Sequence, residues 1–345
     1  MADASASTTP PSTLRQIWRI IRHVLLLIPL TYGTVTFIFL AIWMLSGEQA
    51  WWGVNLFVTL MPGTLLFVLI TLPMAILLWG RTAILLNLPV FIILIVIYGV
   101  RLLPVDLPDA EADFSVMTFN IQATNENLGE LWTLVQDADA DIVGFQEITP
   151  RAAEYIKRVS SEAYPYEVAN DDNCSSGRGL ISRYPITSEC VRADRPFRYQ
   201  RIVIDIEGRE VVFYNVHMPP PEFDSSGFYN EDRPEIVQEL LARAAEETAP
   251  VILMGDFNMG DMTTDYFIMT SRYTDAFMES GEGHGMTYPF SGVAYGEDPD
   301  LLSIPRFVRL DYVFHSDELQ SVYTESPAQW RSDHLPLKVD FAWSE

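Results

Sequence analysis

The chain has 345 residues, 49% of them hydrophobic, with 46 acidic against 22 basic side chains and a formal net charge of −24. That length holds one large soluble domain plus a second region. The acidic excess disfavours general affinity for a nucleic-acid backbone, which rests on Lys and Arg neutralising phosphates. Two cysteines, Cys174 and Cys190, are too few for a disulfide framework or a thiolate metal site, and whether they form one bridge or stay two thiols is open.

Charge is unevenly spread along the chain. Asp3, Arg15, Arg19, Arg22, Glu48, Arg81 and Arg101 are the only charged residues in 1–104, which leaves 17 basic and 44 acidic residues, a formal −27, in 105–345. Such a division marks two environments, lipid and water. Residues 2–13 are small and polar, and the first 22 residues (1–22) are expected to be a disordered cytoplasmic tail. Three uncharged apolar stretches follow: Val24–Leu45, Val54–Trp79 and Ala83–Val100, of 22, 26 and 18 residues. About 20 apolar residues span the hydrocarbon core, so a three-helix transmembrane anchor is expected over 23–101. The first stretch is too long for a signal-peptide core and lacks a small-residue cleavage site. Arg15, Arg19, Arg22 and Arg81 place the N-terminus and the second loop in the cytoplasm by the positive-inside bias, although Arg101 opposes it. The expected localisation is therefore a multi-pass cell-membrane protein with its C-terminal domain outside the cytoplasm. Proline and acids make 102–113 an exposed linker.

The domain over 114–345 begins with short apolar runs separated by turn signals. FSVMTFNI (114–121), IVGFQEI (142–148), GLISRYPI (179–186), RIVIDI (201–206), VVFYNVHM (211–218), VILMGDFN (251–258) and LDYVFH (310–315) each suit a strand. Helical spacing appears over 127–137 and 231–247. Adjacent strands with few helices predict an α+β layered sandwich.

Polar residues gather at the ends of these runs. Asn120, Glu147, His217, Asp256, Asn258 and Asp311 sit at or near the C-terminal ends of apolar segments, and Asp333 and His334 lie just before the final run, LPLKVDF. Strand ends in a layered sheet converge on one rim. Singly, such residues are turn formers or satisfied core groups; eight placed this way predict a site.

The segments MTFNI, DIVGFQEI, GLISRYPI, YNVHM, LMGDFNM, RLDYVFH and SDHLPL, in this order, resemble the endonuclease/exonuclease/phosphatase superfamily over nearly all of 114–341. The resemblance implies a four-layer α/β/β/α sandwich and a metal-dependent phosphoesterase. It implies that Glu147, with Asn120 and the candidate Asp333, holds Mg2+ or Mn2+, hard cations that suit oxygen ligands. It casts Asp256 as the carboxylate that positions or activates water, Asn258 as a phosphate or water contact, His334 with Asp311 as a catalytic pair, and His217 as a second phosphate-contacting histidine. Arg183, in LISRYP, is a substrate-binding candidate that could equally pair with surface acids. His284, in GHGMTYP, is a second substrate-binding candidate. The expected partners are a phosphate-ester substrate, either a lipid headgroup or nucleic acid, and the membrane bilayer, with no obligate protein partner. A non-catalytic sensor that keeps the fold is the rival of another class, and it predicts decay of these positions. A transport role finds no charged pathway inside the apolar stretches.

Overall fold

The computed structural model describes residues 13–48, 51–103, 107–108, 110–169, 177–188, 199–220, 222–224, 227–229, 233–283, 285–288, 308–327 and 332–344. Cys174, Cys190, His284 and residues 1–12 of the expected tail lie outside them.

Five helices come first: α1 (Thr13–Ser46), α2 (Trp52–Thr59), α3 (Met61–Leu66), α4 (Val68–Leu77) and α5 (Arg81–Ile97), then a 3-10 turn at Gly99–Leu102. Next come β1 (Phe114–Asn120), α6 (Leu128–Ala138), β2 (Ile142–Gln146), α7 (Pro150–Ser160), β3 (Tyr166–Ala169), β4 (Arg178–Ser182), β5 (Ile186–Ser188), β6 (Tyr199–Ile206) and β7 (Arg209–His217). The chain continues through β8 (Glu222–Asp224), β9 (Gly227–Tyr229), α8 (Arg233–Ala244), β10 (Val251–Asp256), α9 (Thr264–Thr270), β11 (Thr274–Asp275), α10 (Ala276–Ser280), β12 (Asp311–His315), β13 (Leu319–Glu325) and β14 (Leu337–Trp343).

Two six-stranded sheets form the body of the domain, in the orders β13-β14-β1-β2-β4-β3 and β11-β12-β10-β7-β6-β5. Val116, Ile142 and Leu180 of one sheet pack on Ile202, Phe213, Ile252 and Val313 of the other. The outer face of the first sheet buries Leu131, Leu134 and Val135 of α6 and Ile156 of α7. The outer face of the second buries Val237, Leu240 and Leu241 of α8 and Met269 of α9. The layers run helix, sheet, sheet, helix, as expected. Central strands are buried on both faces: β1, β2 and β10 are buried at every position and mostly apolar.

The helical region departs from three spans. Among the described residues only α1 is by itself long and apolar enough to cross a membrane, and just 22% of its most apolar window is buried, unlike the core helix of a soluble protein. It begins at Thr13, so 13–22 is helical and not disordered; Leu14, Ile17, Trp18, Ile20 and Ile21 alternate with arginines and support a helix there. The second expected span breaks: Trp52–Thr59 and Met61–Leu77 meet at 73°. Pro62 and Gly63 sit at that break, and the Tyr32 hydroxyl donates to Thr64 O at 2.9 Å beside it. The third is the 17-residue α5. Asn87 of α5 ties these helices together, donating to Pro29 O at 2.8 Å and accepting from the Thr71 hydroxyl at 2.7 Å. Arg22 Nε caps the other end of α4 by donating to Leu78 O at 2.7 Å.

Candidate active site

Parallel pairing of β10 with β7 sets Asp256 beside His217, and antiparallel pairing with β12 sets it beside Asp311, which opens its strand and does not close it as expected, because β12 runs the other way. In the other sheet, β1 and β2 run parallel with Asn120 opposite Gln146, so Glu147 emerges one residue beyond the strand. Both sheets thus deliver polar strand ends to one rim, and Asn120 bridges them: its Nδ2 donates to Glu147 Oε1 at 3.1 Å and to Asp256 Oδ2 at 3.0 Å. Its Oδ1 accepts from Gln122 N–H at 3.0 Å. In this arrangement Asn120 offers the carboxylates a donor and not a further oxygen.

Below the rim, the buried Gln146 of the QE segment donates to Asn215 Oδ1 at 2.7 Å and Thr118 Oγ1 at 3.0 Å. Asn215 in turn donates to Gly179 O at 2.9 Å. This satisfied polar layer fixes the register of one sheet on the other.

Asp256 is the hub. Asn258 N–H donates to its Oδ1 at 2.9 Å and Asn258 Nδ2 to its Oδ2 at 3.2 Å. His334 Nε2 and His217 Nε2 stand 3.6 and 3.8 Å from Oδ2. Burial raises Asp256 to about 7, against the opposing pull of His334. On the far side of His334, its Nδ1 lies 2.8 Å from Asp311 Oδ2. Burial disfavours the His334 cation, yet Asp311 and Asp256 outweigh it and lift the group to about 10. His217 goes the other way: burial drives it down to about 4, Glu147 resisting and Arg178 and His334 assisting. At neutral pH the two histidines therefore differ in charge.

Glu147 is the accessible carboxylate, its side chain 32% exposed. Burial works against its ionisation, but donation from Ala123 N–H and Asn120 and the fields of His217 and His334 hold it below the usual range. Asp333 is raised, by burial first and also by the charge of Glu147, which marks the two carboxylates as electrostatic neighbours. The SDH loop is pinned where Ser332 Oγ donates to Asn120 O at 2.7 Å.

Asp256, Asp311 and His334 bring ligand-type atoms within 4.8 Å of one another. Glu147 and Asp333, whose carboxylates feel one another's charge, also carry hard oxygens of the kind a divalent cation takes.

Eight of the ten site residues read from the sequence meet at this rim. Arg183 does not. It donates to Asp141 Oδ1 at 3.0 Å, pairs with Asp139 and stacks over Tyr164 at 5.2 Å, at the opposite end of β2. Its strand runs antiparallel to β2, pairing Arg178 with Gln146 and Ser182 with Ile142, so the first residue of β4 reaches the rim. Arg178, 5% exposed and electrically felt by His217, is the basic group the sequence reading missed. Tyr288 was missed too; its ring centroid lies 4.7 Å from that of His334. The GHGMTYP segment carries the signal for it.

The match that decides the family covers residues 117–334, which fit the model of the Endonuclease/Exonuclease/phosphatase family. The chain belongs to that family. Nuclease and phosphatase alike hydrolyse phosphate esters, and this family member is a hydrolase of that class. No curated protein matches it. Among solved structures, an endonuclease/exonuclease/phosphatase family protein from Bacteroides vulgatus is 18% identical over 67% of this chain and 99% of its own, with a TM-score of 0.53. One from Beutenbergia cavernae is 18% identical over 68% and 72%, with a TM-score of 0.51. One from Leptotrichia buccalis is 21% identical over 67% and 100%, with a TM-score of 0.50. These family likenesses establish the fold.

Proposed function

We propose a membrane-attached, divalent-cation-dependent hydrolase that cleaves phosphoester headgroups at a bilayer surface. One observation carries the reading: the chain segment that follows Asp256 is bound by the helical region. Asp261, five positions after Asp256, is bound by Tyr98 and Arg101 at the end of α5. The chain itself limits the Cα separation of Asp256 and Asp261 to about 17 Å.

Glu147 and Asp333 would hold Mg2+ or Mn2+, with Asn120 orienting Glu147. The cation, when bound, neutralises charge on the phosphoryl oxygens and the leaving oxygen. Asp256, poised near neutrality, positions the attacking water and takes its proton. Asn258 Nδ2 and Asn120 Nδ2 hold that carboxylate in place. The His334 cation donates to a phosphoryl oxygen, and Asp311 orients its ring and stabilises its charge. His217, neutral, offers a second hydrogen bond to the phosphate.

α1 crosses the bilayer, and α4 and α5 pack beside it. Arg22 and Arg81 lie at the end of this bundle remote from the catalytic domain, and the positive-inside bias then favours a catalytic domain outside the cytoplasm. The hydrolase is tested with E147Q and D256N in full-length protein, assayed on phospholipid and sphingomyelin vesicles, DNA, RNA and inositol phosphates. Both variants should lose hydrolysis with unchanged melting, and EDTA should silence the wild type until Mg2+ or Mn2+ is restored. Variants as active as the wild type refute the assignment, and turnover confined to nucleic acid overturns the headgroup reading.

A further inference from the structure

Three separate parts of the helical region grip one short segment of the catalytic domain. Glu48, 4% exposed between α1 and α2, accepts from Thr264 N–H through both carboxylate oxygens, each at 3.0 Å. Gly260 packs on α2, where Thr59 Cα and O would lie 3.2 Å from any β-carbon placed there. Arg101 pairs with Asp261, and the Tyr98 hydroxyl donates to the same carboxylate at 3.3 Å. Met262 completes the contact, joining the apolar cluster of Leu40, Val58 and Leu94.

The gripped segment starts two residues after Asn258, whose backbone is left-handed at φ 48°. A buried arginine closes the circuit. Arg233 Nη1 donates to Asn258 O at 2.7 Å, and its Nε donates to Asp265 Oδ2 at 2.7 Å. Asp265 directly follows Thr264, the residue bound by Glu48. Asn258 therefore has its side chain on Asp256 and Met218 O and its carbonyl on an arginine anchored to the gripped segment.

We infer that the helical region is part of the scaffold of the catalytic centre, with Glu48 and Arg101 acting as positioning residues for Asn258 and Asp256 through segment 260–264. A tether alone would need one covalent connection. Here Glu48 and Arg101, 53 positions apart in the chain, converge on five residues beside the hub carboxylate. The inference rests on the functional reading only in taking Asp256 and Asn258 as working parts of the hydrolase. Its consequence is that a catalytic domain cut free of the helices keeps its fold-determining cores but loses the fixed geometry of its GDFN segment.

The test uses the full chain in detergent micelles, Mn2+ and bis(p-nitrophenyl) phosphate, with E147Q as the inactive control. Hydrogen exchange over 256–264, Mn2+ affinity by electron paramagnetic resonance, and melting are read in parallel. E48A and R101A should each raise exchange over 256–264 and lower kcat about tenfold with KM unchanged and melting lowered by no more than roughly a few degrees, the effect of one lost buried hydrogen bond. E48Q, which keeps an acceptor oxygen for Thr264 N–H, should recover most of the rate. Unchanged exchange overturns the inference. So does raised exchange with wild-type kcat, or raised exchange spread over the whole catalytic domain and not confined to 256–264. Should the wild type show no turnover sensitive to E147Q, the functional reading fails, and the inference then stands or falls on exchange and Mn2+ affinity, equal values in E48A and wild type rejecting it.

Discussion

Three of the six non-glycine residues with positive φ among the described residues lie at or beside the site. Gln122, Glu147 and Asn258 hold φ of 61°, 58° and 48°, a conformation most side chains avoid and that persists only where surroundings enforce it. Gly255 shows the same pressure: at φ 143°, a β-carbon would lie 1.9 Å from Val216 O of the neighbouring strand. Gly255→Ala must displace β10 from β7 just before Asp256, costing about 3 kcal/mol or more; a sharply lowered melting temperature and no hydrolysis are expected, and a wild-type melt refutes the collision. Charge at the site is as specific as shape. Asp311 lifts His334, so Asp311→Asn should move the alkaline limb of the rate profile to lower pH and cut kcat by roughly 10²- to 10⁴-fold, the range for a mispositioned acid–base histidine. An unmoved limb would detach Asp311 from His334. The residues at parallel strand ends were readable from sequence because their motifs sit where apolar runs stop. Arg178 and Arg183 were not, because a run such as GLISRYPI does not state its direction in the sheet, and direction alone decides which arginine reaches the rim.

At the level of elements, apolar runs marked β1, β2, β7, β10 and β12 well, since strands buried on both faces leave continuous hydrophobic signatures. Shorter or mixed pieces escaped. Helix α7 is amphipathic with a polar majority, and its start is set by the Thr149 side chain accepting from Ala152 N–H at 3.2 Å. Strand β13 alternates buried and half-exposed positions around a bulge between Ser321 and Tyr323. In the helical region, hydropathy alone could not see that Pro62 and Gly63 would fold one long apolar stretch into a short α2 and a bent continuation. That bend lays α2 against the catalytic domain and leaves Glu48 in a buried junction. Burial raises Glu48 to about 7 from an ordinary 4.5, despite the Thr264 N–H bond that opposes the rise. A carboxyl with a raised folded pKa contributes its full stability below about 4.5 and loses it as pH climbs through about 7. E48Q carries no charge at any pH, so its melting temperature relative to wild type should rise between pH 5 and pH 8, by roughly a few degrees. A difference constant across that window would show that Glu48 is not desolvated.

For the whole molecule, the question is what a strongly acidic domain does beside a membrane. The −27 formal charge of 105–345 surrounds a site where His334 and Arg178 are the groups suited to meeting a phosphate. Polyanions approaching that rim meet repulsion over a Debye length, about 8 Å at physiological salt, whereas a zwitterionic or singly charged headgroup already held in the bilayer plane meets little. The attachment through α1 that we propose would add effective concentration for substrates in that plane and nothing for dissolved ones. The two substrate classes therefore respond oppositely to salt. Raising NaCl from low to physiological concentration should speed any cleavage of DNA or RNA, by screening like charge, and leave cleavage of a zwitterionic vesicle headgroup nearly unchanged. Most nucleic-acid enzymes weaken as salt rises because their lysines and arginines lose phosphate contacts, so a fall in DNA cleavage with salt would mean that a basic surface guides this substrate after all, and that the acidic field does not govern access to the site.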